Sequence, residues 1–321
     1  MRAVVQDSYG SVEVLRVAQI ARPVAGDNEV LLRVQAAGLD RGVWHQMTGL
    51  PYLGRLAFGI PGPRNPVPGL DVAGTVFAAG KGVTRFAIGD EVFGFGKGTF
   101  AEYATAREDR LTRKPAALTF EQAAVVPVSA ATALQALCDV GRVQPGQTVL
   151  IIGASGGVGT YAVQLAKALG ADVTGVCSTG KVDLVRSLGA DRVIDYGSAD
   201  FADGTARYDL IIDVGGNTAL PRLRQVLTPT GTAIIVGGEG GGSWTGMGRQ
   251  VRALMISPFV RQRLTTFIAK QRSGDLDRLV TFIDAGTVTP SMGATYPLHR
   301  VPDAMRHLEA GQARGKIAIT I

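Results

Sequence analysis

The sequence predicts an α/β protein in which a β-rich, barrel-like domain is joined to a doubly wound parallel sheet. Residues 1 to about 110 read as short strands divided by turn signals, with the clearest runs at 29–35, 71–77 and 89–93. From about Phe120 to Thr265 the texture changes to apolar runs of four to eight residues that alternate with helical periodicity, the pattern of a parallel sheet covered on both faces. The length, 321 residues, is two or three times the commonest domain size and accommodates both parts.

Taken in order, the parallel strands are expected at 148–152, 172–176, 209–213 and 232–236. A helix is expected at 160–170, where Val163, Leu165, Ala166 and Leu169 recur at helical spacing. The last stretch carries a Leu- and Ile-rich helix near 275–285, a turn at Pro290 and a closing strand at 316–321 that returns to the first domain. The expected organisation is a catalytic domain at 1–124, a nucleotide domain at 125–265 and a return segment at 266–321. No repeat of solenoid period is present, and the one low-complexity tract is 237–242.

A composition of 46% hydrophobic and 19% charged residues excludes disorder. Glycine, at 43 residues, is enriched without a Gly-X-Y period, so collagen is excluded and many tight turns or close ligand approaches are required. Two cysteines, Cys138 and Cys177, cannot form a four-cysteine zinc site or a disulfide framework, which points to a reducing compartment. The first residues alternate polar and apolar and lack the continuous core of a signal peptide, and no apolar run is long enough to cross a bilayer. A cytoplasmic protein is expected. Between Gly240 and Gly274 no acid occurs, whereas Arg249, Arg252, Arg261, Arg263, Lys270 and Arg272 equal the whole net charge of +6. Nucleic acid, an acidic membrane surface or a phosphorylated ligand could each use such a patch, but without aromatic interleaving or a nucleic-acid motif this window reads as a solvated helix flank.

The segment Gly153-Ala-Ser-Gly-Gly-Val-Gly159 stands between an expected strand and an expected helix. Strand, glycine turn and helix together form a dinucleotide-binding fingerprint. Gly156 lets the backbone approach a pyrophosphate and Gly159 permits close helix-on-strand packing. Ala154 fills the first glycine position, and the free N–H groups of the helix start, from Ser155 through Gly157 and Val158, point at the anion. No acid ends the second strand, in Val176-Cys-Ser-Thr-Gly-Lys181. The hydroxyls of Ser178 and Thr179 with the Lys181 ammonium form a neutral-to-positive cup suited to a 2′-phosphate, so NADPH is expected over NADH.

With these residues in hand, the chain resembles the medium-chain dehydrogenase/reductase superfamily, within it the zinc-independent quinone oxidoreductase and enoyl reductase branch. The resemblance spans essentially the whole chain. It rests on Ala37-Gly-Leu-Asp40, the 66–74 and 89–94 segments, Gly98-Thr-Phe-Ala-Glu-Tyr103, the glycine turn, the 186–196 segment and Arg314-Gly-Lys316. It implies a GroES-like catalytic domain interrupted by a Rossmann domain, with the active site in the cleft between them, and a homodimer formed through edge strands of the Rossmann sheet. Where zinc-dependent members carry Cys, His and Cys, this chain has Asp40, Leu70 and Val128, with Asp71 at the place of a nearby acid; Leu and Val cannot ligate zinc.

The resemblance also assigns Thr132 to the nicotinamide neighbourhood, Tyr196 with Lys181 to the adenine and 2′-phosphate, and Gly215, Val236, Gly237 and Gly238 to loops passing the nicotinamide. Lys316 is expected to face the cleft. On the catalytic side the candidates are Asp40, Trp44, His45 and Tyr52. Asp40 is either a substrate-orienting acceptor or a structural cap. Trp44 lines the wall, His45 is a proton donor or a packing histidine, and Tyr52 caps the pocket or covers apolar surface. Related quinone reductases often carry Asn and Tyr at the places of Asp40 and His45. The expected activity is hydride transfer from NADPH to a small-molecule quinone or α,β-unsaturated carbonyl, whose own carbonyl takes the developing charge without a metal. The other readings are a nucleotide-binding but catalytically idle protein that docks a membrane or partner through 254–260, and a zinc-free dehydrogenase of an activated alcohol.

Overall fold

The computed structural model describes residues 1–215, 217–237, 244 and 246–321. The first strands in chain order are β1 (Arg2–Val5), β2 (Arg16–Gln19), β3 (Glu29–Leu39), β4 (Asp71–Ala79), β5 (Glu91–Phe95), β6 (Tyr103–Arg107) and β7 (Leu111–Arg113). Between β3 and β4 lie helices α1 (Arg41–Thr48) and α2 (Arg55–Phe58); α3 (Phe120–Ala124) and α4 (Pro127–Leu134) follow β7. The parallel region then runs β8 (Thr148–Ile152), α5 (Gly157–Ala168), β9 (Asp172–Cys177), α6 (Val182–Ser187), β10 (Arg192–Asp195), β11 (Tyr208–Asp213), α7 (Leu220–Val226), β12 (Leu227–Ile235), α8 (Gly248–Ile256) and β13 (Arg263–Thr266). The chain ends with α9 (Ser273–Asp284), β14 (Met292–Pro297), α10 (Val301–Glu309) and β15 (Lys316–Thr320).

These elements form two compact units. One comprises residues 1–131, 271–284 and 290–321, the other 132–270 and 285–289. The first crossing thus falls inside α4, beyond the boundary expected at residue 124. The reason is local: α3 packs on β3 and β4, and the Val128 N–H at the start of α4 donates to Asp71 on β4 at 2.9 Å.

In the first unit a mainly antiparallel sheet runs β14-β15-β3-β4-β5-β7, with β6 also paired to β3. The 11-residue β3 is its spine because alternate residues Val30, Leu32 and Val34 face one apolar cluster with Val72, Val76, Val92 and Leu111, while Leu39 reaches a second with Val43, Met47, Phe100 and Ile317. The return of β15 to pair antiparallel with β3 completes this unit.

In the second unit six parallel strands run β10-β9-β8-β11-β12-β13. This is a Rossmann order, whose direction reverses between β8 and β11; ligands of such sheets bind at the strands' carboxyl ends beside that reversal. The core is the apolar run of each central strand, with Leu150, Ile152, Val176, Ile211, Ala233 and Ile235 buried. Helix α5 starts at Gly157, three residues before the expected start, because the glycines of the turn themselves form its first turn. Among the described residues no helix is long and apolar enough to cross a membrane.

Candidate functional site

At the carboxyl edge of the parallel sheet each departing loop is hooked to a neighbouring strand end. Gly153 and Ala154 N–H donate to Val176 O at 3.1 and 3.0 Å, Val214 and Gly215 N–H to Ile152 O at 2.9 and 3.1 Å, and Val236 and Gly237 N–H to Asp213 O at 3.0 and 3.2 Å. These bonds bring 153–159, Gly215 and 236–237 to one edge; Gly238 lies outside the described residues. Gly153 has φ +85°, and a Cβ there would meet Gly215 N at 2.9 Å, so two strand-end loops touch where a side chain has no room. A Cβ on Gly159 would lie 2.1 Å from Gly153 O. That absence lets the start of α5 seat against the turn. Gly156 caps α5 without a side-chain hydrogen bond, and its own Cβ would meet only Gly153 O, at 3.4 Å. The first-turn N–H groups of α5 therefore carry the positive end of the helix dipole beside an open glycine, a combination that fits a diphosphate. Ala154 and Ser155 are buried in the turn, and Thr132 is buried on α4.

The expected 2′-phosphate cup follows β9. Ser178 begins a 3-10 turn at Thr179–Lys181, closed by Lys181 N–H to Ser178 O at 2.9 Å, and Tyr196 beside it is 66% exposed. The cup is not free of acid, however. Strand β10 sets Asp195 in register with Cys177, and its carboxylate accepts the Thr179 hydroxyl and Gly197 N–H, the latter at 2.9 Å. Gly197 and then Thr179 hold the Asp195 carboxyl below the usual carboxylate range. Burial pushes the neighbouring Cys177 thiol up, Asp195 adds to the rise and Lys181 opposes it. The acid was missed because it comes from the adjacent strand, eighteen positions later in the register, and not from the end of the second strand.

The basic window is also not a uniform solvated flank. Arg249, on the first turn of α8, points inward and pairs with the fully buried Asp213 at 2.6 Å, while donating to Thr218 O at 2.7 Å and Gly237 O at 3.3 Å. Arg272 pairs with Asp275 at 2.9 Å. The reason is topological: α8 starts beside the carboxyl ends of β11 and β12, where an anion is already buried. Arg249 thus ties together the loops that leave those two strands. Arg249→Met is expected to cost about 3 kcal/mol, because a buried carboxylate loses its guanidinium; urea unfolding that changes by less than about 1 kcal/mol would show that the tie is dispensable.

In the first unit Asp40 is the N-cap of α1, its Oδ1 accepting Gly42 N–H at 2.8 Å and Val43 N–H at 3.3 Å. Its other oxygen lies 3.6 Å from Lys316 Nζ, which also reaches Asp71 Oδ2 at 3.1 Å. All three side chains are at least nine-tenths buried. Lys316 stands at the start of β15, whose pairing with β3 places the ammonium between two carboxylates. Burial pushes the Asp71 carboxyl up to about 7; Lys316 opposes the rise and Asp40 adds to it. Burial alone lowers the affinity of Lys316 for its proton, but Asp71 and Asp40 more than offset this and leave it above the ordinary lysine value.

Helix α1 also carries Trp44 and His45, with ring centroids 5.1 Å apart. Trp44 Nε1 donates to Glu309 Oε1 at 2.8 Å. His45 Nδ1 lies 2.6 Å from Leu50 O, and since a carbonyl only accepts, Nδ1 bears the proton. Nε2 is then the acceptor of the neutral ring and a donor only of the imidazolium. Tyr52 is 42% exposed on the following turn, with the Arg55 guanidinium 4.8 Å from its ring centre. Among the described residues no group of three or more His, Cys, Asp or Glu side chains is placed to hold a metal ion.

Residues 26–116 match the family described as alcohol dehydrogenase GroES-like domain, and residues 188–319 the family described as zinc-binding dehydrogenase. A mitochondrial NAD(P)H oxidoreductase of Bos taurus is 35% identical over 356 residues, covering 100% of this chain and 89% of that protein. The chain belongs to the medium-chain dehydrogenase/reductase superfamily, in its quinone oxidoreductase branch. A 2-methylene-furan-3-one reductase of Solanum lycopersicum is 31% identical over 336 residues, 99% of this chain and 79% of the relative. Among solved structures the quinone oxidoreductase of Coxiella burnetii is similar at a TM-score of 0.89 and 26% identity, covering 100% of this chain and 99% of that one. Asp40 after β3, Asp71 on β4 and Lys316 on β15 form one buried charged group in the first unit.

Proposed function

We propose that the protein reduces quinones or α,β-unsaturated carbonyl compounds with NADPH. It is an NADPH-dependent oxidoreductase. The cofactor, when bound, supplies the hydride. The observation that carries the substrate reading is the buried Asp40–Lys316–Asp71 group. An ammonium saturated by two carboxylates neither ligates zinc nor polarises a carbonyl, and Leu70 and Val128 add no ligand. Unactivated alcohols need a Lewis acid or an equivalent base to become alkoxides, so acceptors that are electrophilic by themselves suit this arrangement better.

The chain's residues then have separable tasks. The first turn of α5 binds the diphosphate; Ser178, Thr179 and Lys181 bind the 2′-phosphate, with Tyr196 against the adenine. Thr132, Gly215, Val236 and Gly237 orient the nicotinamide end, and Arg249 keeps the Gly237 carbonyl in place. On the substrate side Trp44 offers a flat apolar wall. The His45 imidazolium delivers a proton from Nε2, its ring angle set by the bond from Nδ1 to Leu50 O. Asp40 holds α1 as its cap and so positions both. In the proposed homodimer the protomers meet through edge strands of the six-stranded sheet, whose outer strands are β10 and β13.

Loss of nicotinamide absorbance in the presence of para-benzoquinone, and of a series of 2-alkenals, tests this reading. Turnover with at least one acceptor class, and none with a simple secondary alcohol and NADP⁺, is the expected result. NADPH that binds tightly without turnover on any acceptor, together with vesicle association lost at high salt, would instead establish the idle membrane-docking protein.

A further inference from the structure

The site reading above has the 2′-phosphate bound by Ser178, Thr179 and Lys181, and the structure adds a fixed negative charge to that cup. Parallel strands in register lie about 4.8 Å apart, so the pairing of Asp195 with Cys177 brings the end of β10 against the loop that leaves β9. Tyr196 N–H donates to Cys177 O at 3.1 Å, which pins the two strand ends together. The Asp195 carboxylate accepts a hydrogen bond from the Thr179 hydroxyl, a donor that a phosphate oxygen would otherwise use. A Cβ on Gly197 would lie 3.2 Å from Asp195 Oδ1 and 3.3 Å from Thr179 Oγ1, so carboxylate, hydroxyl and turn are packed as one group. Lys181 acts on the same Cys177 thiol with the opposite sign, so a cation and an anion share the neighbourhood.

We propose that Asp195 is a specificity-determining residue that restrains the preference for NADPH and keeps NADH a usable cofactor. A 2′-phosphate carries close to two negative charges at neutral pH and is repelled by the carboxylate. A ribose 2′-hydroxyl carries none and can donate to a carboxylate or to Thr179 Oγ1. The inference rests on the cup binding the nucleotide as proposed above.

Asp195→Asn tests it, because the amide oxygen still accepts Gly197 N–H while the charge is gone. Binding of NADPH and of NADH to the whole chain is measured by fluorescence titration. The expected result is NADPH tightened about three- to tenfold with NADH changed less than about twofold, the gain shrinking at high salt as a charge effect must. A Kd ratio unchanged from the wild type, or a change of ratio that salt leaves intact, overturns the role of Asp195. Lys181→Ala separates this from failure of the cup itself: it is expected to shift the ratio toward NADH. If it weakens both nucleotides equally and Asp195→Asn does nothing, the 2′-phosphate does not sit here and the inference falls with the cup. Wild-type protein that binds neither nucleotide overturns the proposed function first.

Discussion

Replacing Lys316 by Met is expected to destabilise the protein by about 3 to 5 kcal/mol, the usual consequence of leaving a buried carboxylate without its cation. Asp71 is wholly buried and 3.1 Å from the ammonium, and Asp40 has one oxygen directed to the same nitrogen. The second change Asp71→Asn is expected to recover more than half of that loss, since the amide oxygen still accepts the Val128 N–H while one buried charge disappears. Urea unfolding of the two variants and the wild type measures both effects; a Lys316→Met protein within about 1 kcal/mol of wild type would remove the triad from the list of stabilising features.

The same group sets a pH dependence. The folded-state affinity of Asp71 for a proton, at about 7, lies above the unbound value of 3.8. The folded state therefore holds the more protons between these values, and the stability contributed by Asp71 is fully present below the lower value and lost as pH rises through the upper one. The slope from this group reaches at most about 1.4 kcal/mol per pH unit. Asp71→Asn abolishes it, so the variant gains on the wild type as pH rises from about 4 to about 7. A stability difference that stays flat across that window would contradict the assignment. Lys316 acts in the same sense in a higher window: its raised proton affinity contributes stability that is fully present below the ordinary lysine value and is lost as pH rises above it.

Gly159→Ala is expected to eliminate nucleotide binding and to destabilise the second unit by about 2 kcal/mol or more. The added methyl meets Gly153 O at 2.1 Å and two backbone atoms of Ala154 at 2.8 Å, and backbone cannot rotate away as a side chain can. The start of α5 must then lift from the turn, which carries its first-turn N–H groups off the diphosphate. Gly156→Ala is the informative partner, because its methyl meets only Gly153 O, at 3.4 Å. It is expected to leave the unfolding transition unchanged and to weaken NADPH about tenfold or more by occupying the approach to the backbone. Equal effects of the two substitutions on stability would overturn this division between packing and ligand approach.

The four central parallel strands were legible because their inner residues are buried, and in β8, β11 and the end of β12 they show as short apolar runs; β8 and β11 lie at their expected positions to within a residue, while β12 starts five residues before its expected start. Their neighbours β10 and β13 were not read as strands. Both are four-residue outer strands of mixed exposure, so neither the apolar run nor a clean alternation survives in them. The glycine turn was legible for the opposite reason: the requirement for missing side chains acts on residues close together in the chain, and a local pattern records it.

The charged residues divide differently. Lys181 ends the turn that follows β9, and a strand end and the turn after it are set by the same few residues. Lys316, Arg249 and Asp195 carry charges whose surroundings come from other elements: Asp40 and Asp71 for the first, Asp213 for the second, Thr179 across a strand pairing for the third. Sequence alone determined the central parallel strands, the glycine turn between the first of them and its helix, and the motifs that carry the resemblance to the superfamily. Only the tertiary structure decided which charges face one another and which are buried, because electrostatic partners are selected by distance in space, and strand register and the return of β15 to β3 create those distances between residues that no local pattern connects.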